Sequence, residues 1–226
     1  MPEVQFLGHA CFRLRGRDGI VLCDPFSRSI GLDLGRPTAH IVTVSHDHAD
    51  HNNSAQVKPM REKLFVVDSP GEYEISGILI TGIRTYHDKA QGAERGVNTV
   101  FVIHMDDVVF CHLGDLGHEL SQAQLEAIGN VDVLFVPVGG GTTIGPAEAI
   151  NVISQLEPRP RIVIPMHYAT AQLSFTHELG TLERFTHELG RKDLVAEEKL
   201  NVTAANLPAE NEETRVVVLR AISTQL

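Results

Sequence analysis

Cysteine is scarce and unpaired in this 226-residue chain: Cys11, Cys23 and Cys111 stand singly, in "HACFRL", "IVLCDP" and "VVFCHLG". An odd count without a CxxC pair argues against a disulfide framework. The three thiols read as small buried hydrophobes in strands. Basic residues are also short, 19 Lys plus Arg against 29 Asp plus Glu, for a formal charge of −10. Such a field repels phosphate backbones and anionic membranes, so nucleic acid is a disfavoured partner. No apolar run approaches the roughly 18 residues of a membrane helix. The opening "MPEVQFLGHA" lacks a basic stretch followed by an apolar one, so no secretory signal is expected and the expected location is the cytoplasm.

What the chain does have is an ordinary globular make-up, 42% hydrophobic and 21% charged, at a length that suits one domain over residues 1–226. Short β-branched runs bounded by turn residues predict strands at "VQFLG", "ACFRL", "GIVLCD", "AHIVTVSH", "LFVVDS", "GILITGI", "NTVFVIH" and "DVVFCHLG". Asp18-Gly19 marks a hairpin turn. Helices are predicted in "SQAQLEAIG", from a Ser121 cap to Gly129, and in "PAEAINVISQLEP", with Pro146 in its first turn. Buried strands follow at "VDVLFVPV" and "RIVIPMH", then an amphipathic helix in "LERFTHELG". "EEKLNVT" and "TRVVVLRAI" predict closing strands. "FTHELG" occurs twice, at 175–180 and 185–190, which is a local duplication too short for a repeat architecture. Strand-rich halves with helices between them predict sheets packed together and covered by helices.

Residues able to bind metal recur where these strands end: Asp24, His46, His87, Asp115 and His167. Ends that share one rim converge in space, where active-site loops sit. The segment "SHDHADHNN" (45–53) is the densest point. His46 and His48, two apart, can chelate one ion with a third imidazole from afar, and Asp50 and His51 can face a second. Nitrogen-rich sets suit Zn²⁺, with Mn²⁺ or Fe²⁺ as carboxylates take a larger share. A carboxylate such as Asp115 can bridge two ions about 3.5–4 Å apart. Taken singly, each has a plain alternative: a solvated turn for "HDHADH", a core or surface position for His87 and His167, a turn for Asp115. Their joint placement at strand ends favours a metal centre.

This pattern resembles the metallo-β-lactamase superfamily over nearly the whole chain. Its hallmark is a strand-end Asp, then HxHxDH, then His, Asp and His, matched here by Asp24, by His46, His48, Asp50 and His51, and by His87, Asp115 and His167. The resemblance implies an α/β fold, the four-layer αββα sandwich, and two divalent ions, Zn²⁺ first. One ion would be held by His46, His48 and His87, the other by Asp50, His51 and His167, with Asp115 bridging and Asp24 supporting the ligand turn. "LGHACFRL", "CHLGDLGH" and "IPMHY" look like the compact branch that includes ascorbate-6-phosphate lactonases. Asp115, where many antibiotic-hydrolysing members carry cysteine, argues against β-lactamase activity proper.

The function expected is a dinuclear hydrolase whose metal-bound hydroxide cleaves a small-molecule lactone, ester or phosphoester. Asp50 and Asp115 would orient the nucleophile and relay its proton. Tyr168 is expected either to donate to an oxyanion or to pack at the rim. His9, His112 and His118 are expected as supporting or substrate-facing groups. "PVGGGTTIGPAEA" (137–149) leads into a helix start that can receive an anion or serve as an ordinary turn. "SPGEYEISG" (69–77) either brings Glu72 and Tyr73 to the pocket or forms a hairpin. The alternatives are a phosphodiesterase or nuclease of the same superfamily, a metal-binding protein without turnover, and a thiol nucleophile at Cys23 or Cys111. The expected partner is a small molecule, anionic ones included, with a homo-oligomer left open.

Overall fold

Alternating side chains along the first strands divide two hydrophobic clusters between the faces of one sheet. Val4, Phe6, Phe12, Leu14, Val21 and Cys23 join the larger cluster, while Leu7, Cys11, Ile20 and Leu22 join the smaller. That two-residue period is what a strand buried on both faces requires. The computed structural model describes residues 1–174, 179–191 and 194–225. Residues 175–178 of the first "FTHELG" copy lie outside the described residues, and the second copy begins in a helix, Leu182–Glu188, and ends just past it.

Six strands form the first sheet, in the order Leu200–Asn201, Glu3–Gly8, Cys11–Arg15, Ile20–Cys23, Ile41–Thr43 and Phe65–Val67. The first four pair antiparallel and the last two join in parallel. The second sheet runs Gly71–Ile75, Ile78–Tyr86, Val97–Met105, Val108–His112, Val133–Pro137, Ile162–Met166 and Arg215–Val216. Its first four strands form an antiparallel meander and the remaining three are parallel. Phe12 of the first sheet meets Phe135 of the second with ring centroids 4.3 Å apart, so the larger cluster is the seam between the sheets.

Helices flank the second sheet. Ser121 caps Gln122–Ile128 through a reciprocal capping box with Gln124, and Pro146 opens Pro146–Gln155, whose Ala149, Val152 and Ile153 are buried. Phe185 anchors Leu182–Glu188. The outer face of the first sheet carries lighter cover: 3₁₀ turns at Arg28–Ile30 and Ser54–Gln56 and the side chains Leu173 and Leu179. Residues 69–77 form the hairpin, not the pocket-facing loop: Gly71–Ile75 pairs with Ile78–Tyr86. "TRVVVLRAI" is a strand only at Arg215–Val216. Val217 still donates to the Val163 carbonyl, and Leu219 bridges to Glu197. All three cysteines are buried and free, and burial pushes the Cys23 thiol up to about 12, which removes the thiol nucleophile. No described helix is long and apolar enough to cross a membrane.

Candidate metal centre

Each strand named in the sequence analysis delivers its residue to one rim shared by the two sheets. Asp24 follows Ile20–Cys23 and His46 lies just beyond Ile41–Thr43. His87 follows Ile78–Tyr86, Asp115 lies just beyond Val108–His112, and His167 follows Ile162–Met166. Several of these turns are strained. His9, Asp24 and His167 have φ of 57°, 44° and 53°, a left-handed backbone that costs a side-chain-bearing residue about 1–2 kcal/mol. The turn aims each side chain inward. Gly139 allows the closest approach, because a Cβ there would lie 2.2 Å from the His167 carbonyl oxygen.

Asp115 sits at the centre. Its Oδ2 is 3.2 Å from Nε2 of both His87 and His167 and 3.8 Å from His46 Nε2, and its Oδ1 is 3.2 Å from His51 Nε2. Three groups have ligand atoms within 4.8 Å of one another: His46, His48 and His87; His9, Asp50, His51 and His167; and His46, His51 and Asp115. The structure therefore brings together all seven residues named for the two ions and adds His9 to the second group.

Nε2 of His46, His51 and His167 and Oδ1 of Asp115 are buried without a hydrogen-bond partner among the described residues. Buried polar atoms rarely stay unpaired, since each costs about 1–3 kcal/mol. Here they crowd one another without the alignment of hydrogen bonds, as donors converging on a shared cation do. Nitrogen and carboxylate donors in these proportions fit a Zn²⁺-type ion.

The supports are equally specific. Asp24, fully buried, accepts from Ser45 N at 2.8 Å, from Ser45 Oγ at 2.6 Å and from His51 Nδ1 at 2.8 Å. Fixing Nδ1 leaves Nε2 of His51 to face the centre. Asn98, which nothing in its "GVNTV" context singles out, is buried at the start of the strand Val97–Met105 and accepts from the Asp115 N–H at 2.9 Å. It also donates to Thr85 Oγ1 and to the Leu113 carbonyl. His112 Nε2 donates to the Ala10 carbonyl at 2.9 Å, and its Nδ1 accepts from Gly114 N, so it is a tether behind Asp24. His118 ties Tyr86 N to the Glu119 carbonyl. Tyr168 packs in the core, 6.4 Å from Phe6 between ring centroids and outside the cavity lining, so the packed alternative describes it and the oxyanion donor does not.

Burial and neighbours set the charges. Burial lowers His9 to about 4, with the charge of His167 adding to it, and lowers His46 to about 3, with His51 adding. Burial would raise Asp50 and Asp115, but the surrounding imidazoles overcome it and hold both carboxyls far below their ordinary value. Burial would likewise lower His51, yet Asp115, Asp24 and Asp50 raise it well above 6.5. Two ionised carboxylates beside the neutral imidazoles of His9 and His46 suit a cation, which on binding would displace the proton that the carboxylates keep on His51.

A cavity of ≈ 400 Å³ opens over this cluster, with His48, Asp50, His87, Asp115 and His167 in its wall. Thr142 of the glycine-rich loop lines it too, with Arg95 and Ser29, two residues that no motif or spacing marks. Larger hollows of ≈ 580 and ≈ 640 Å³ lie beside Pro146–Gln155 and beside Ser54–Gln56, and neither is lined by any of the seven ligands. The glycine-rich loop reaches the cavity only through Thr142. At the helix start behind it, Gly145 N donates to Glu148 Oε2 at 2.9 Å, so the chain's own carboxylate fills the anion's place.

Comparison with known proteins agrees with this geometry. The model of the β-lactamase superfamily domain matches residues 3–167, from the first strand to the last candidate ligand. A UPF0173 metal-dependent hydrolase of Thermococcus onnurineus is 30% identical over 195 residues, covering 75% of this chain and 86% of the relative. One from Methanoculleus marisnigri is 32% identical over 190 residues, covering 74% and 81%. A solved metallo-β-lactamase-superfamily structure from Thermotoga maritima superposes with a TM-score of 0.77 at 36% identity, over 97% of this chain and 98% of the other. The metallo hydrolase Igni18 of Ignicoccus hospitalis, at 18% identity and a TM-score of 0.65 over 100% and 99% of the two chains, shares the fold. Fold, ligand cluster and relatives define a class, the metal-dependent hydrolases. The chain belongs to the β-lactamase superfamily and carries its α/β metallo-β-lactamase fold.

Proposed function

We propose that the chain is a dinuclear hydrolase of small-molecule lactones, esters or phosphoesters. The observation that carries this reading is the pair of ligand clusters flanking Asp115 at the floor of an open cavity. His46, His48 and His87 would hold one ion and Asp50, His51 and His167 the other. Divalent ions at such clusters supply Lewis acidity and make water acidic enough to react at neutral pH.

The chain's own groups do the rest. Asp50, 23% exposed and kept ionised by His51 and His9, is the more exposed of the two carboxylates in the cavity wall, and it orients water and relays its proton. Asp115, held through its backbone by Asn98, keeps the imidazoles of both clusters in register. His9, 3.2 Å from Asp50 Oδ2, fixes that carboxylate from behind. The open cavity supports turnover over simple metal storage. Its small size and the −10 charge support a small substrate over a nucleic acid. Buried thiols suit a cytoplasmic setting.

The test is metal content together with hydrolysis of bis(p-nitrophenyl) phosphate, p-nitrophenyl acetate and a γ-lactone by stripped protein reloaded with Zn²⁺ or Mn²⁺. The expected result is two ions per chain and turnover of at least one substrate, lost in His48→Ala and Asp115→Ala. One ion per chain would overturn the dinuclear reading. Two ions with no turnover of any of the three would overturn the substrate class.

A further inference from the structure

Among the described residues lining the cavity one is an arginine and none a lysine, and that arginine stands on a loop built to hold it. Arg95 lies in residues 88–96, between the strands Ile78–Tyr86 and Val97–Met105. A single carboxylate organises that loop. Asp88 accepts from the backbone N–H groups of Ala90, Gly92, Glu94 and Arg95 at 2.8, 2.8, 3.1 and 2.7 Å. His87 N donates to the Gly96 carbonyl at 3.1 Å, which ties the loop to a metal-ligand candidate. Gly92 and Gly96, at φ of 83° and 93°, supply the left-handed turns that the closed path needs. The backbone of Arg95 is thus fixed while its side chain stays exposed.

Its guanidinium forms no ion pair with a described residue, whereas nearby cations are engaged: Lys89 by Glu148, and Arg28 by Asp33 at 2.7 Å. The carboxylates of the same cavity, Asp50 and Asp115, are turned to histidines. In a chain with a ten-charge acidic excess, an arginine left unpaired beside a metal-ligand cluster is available to a ligand. Its planar fork matches two oxygens of one oxyacid group.

We propose that Arg95 is a specificity-determining residue that binds an anionic oxygen group, carboxylate or phosphate, on the part of the substrate that is not cleaved. This rests on the hydrolase reading of the site. The metal cluster takes the scissile end and Arg95 the other, so the preferred substrate carries its charge away from the bond that breaks. Thr142, on the glycine-rich loop, lines the same cavity and adds a hydroxyl to it.

The test is calorimetric binding of succinate and of glycerol 3-phosphate to the zinc-loaded protein, with zinc content measured in every sample. Arg95→Gln should weaken at least one probe about tenfold or more, the worth of a charge-assisted bidentate contact. Arg95→Lys should lose less, and Arg159→Gln, an arginine outside the cavity, should bind as the wild type does. The probe that responds identifies the group, carboxylate or phosphate. Equal affinity of Arg95→Gln and wild type for both probes overturns the proposal, as does wild-type protein that binds neither. Binding is read without turnover, so a chain that hydrolyses nothing but binds through Arg95 would sink the hydrolase reading and leave the anion site standing.

Discussion

Asp24 shows how much one side chain outside the ligand set can carry. It has no exposed surface, yet it satisfies the Ser45 backbone and hydroxyl and the Nδ1 of His51. Asp24→Ala would leave these donors buried and unanswered, and breaking such a pair costs about 3–5 kcal/mol. A chemical-denaturation curve on metal-loaded protein should show that loss, with Asp24→Asn, which keeps an acceptor, losing less; equal stability of the alanine variant would refute the role. The sequence made Asp24 legible because it closes an apolar strand and fits a motif. Asn98 and Ser45 do comparable work for Asp115 and His46, but a single polar residue has no periodicity or partner spacing to betray it. Arg95 was hidden for the same reason: what selects it is a loop fold around Asp88, not a pattern in the chain.

Among the elements, strand ends decide the site, and glycines decide how closely those ends meet. Gly114, at φ 55°, packs so that a Cβ would lie 2.4 Å from Asn98 Oδ1 and 2.5 Å from Ser45 Cβ, side chains of both sheets. Gly114→Ala combines overpacking with a disfavoured backbone and should destabilise the protein by about 3 kcal/mol. Gly35, at φ 67° with nothing near its Cβ position, provides the control: Gly35→Ala carries only the backbone cost, about 1 kcal/mol. Thermal melts of the two variants should separate by several degrees, and equal melting would show that the Gly114 contact is not tight. Strands, caps and hairpins were readable from alternation and turn residues. The ends of "TRVVVLRAI" were not, because an apolar run reads the same whether it continues a ladder or is buried as irregular chain. The thin cover of the first sheet escaped as well, since 3₁₀ turns carry little periodic signal.

For the whole molecule, the metal-free state should be acid-sensitive well before its carboxylates titrate. His9 and His46 are held at about 4 and about 3 in the fold against 6.5 when unfolded. Groups lowered in this way contribute stability in full above pH 6.5 and lose it as pH falls toward their folded values. His51, raised above 6.5, stays protonated in the fold and gains stability only while its unfolded form titrates near 6.5, which offsets a small part of the loss from two histidines. Asp24 and Asp115, lowered from 3.8, add their own loss only below that value. The urea midpoint of chelator-treated protein should therefore fall steadily from pH 7 to pH 4.5, and a flat profile there would contradict the buried neutral histidines.

The rim also has a mechanical meaning. Asp24 and His46 hang from one sheet, and His87, Asp115 and His167 from the other. An ion held from both sides would be a clasp across the open edge of the sandwich. A small slippage of one sheet along the other would unfasten it while leaving every strand intact, so grip on the metal reports the closure of the whole body sooner than any loss of secondary structure.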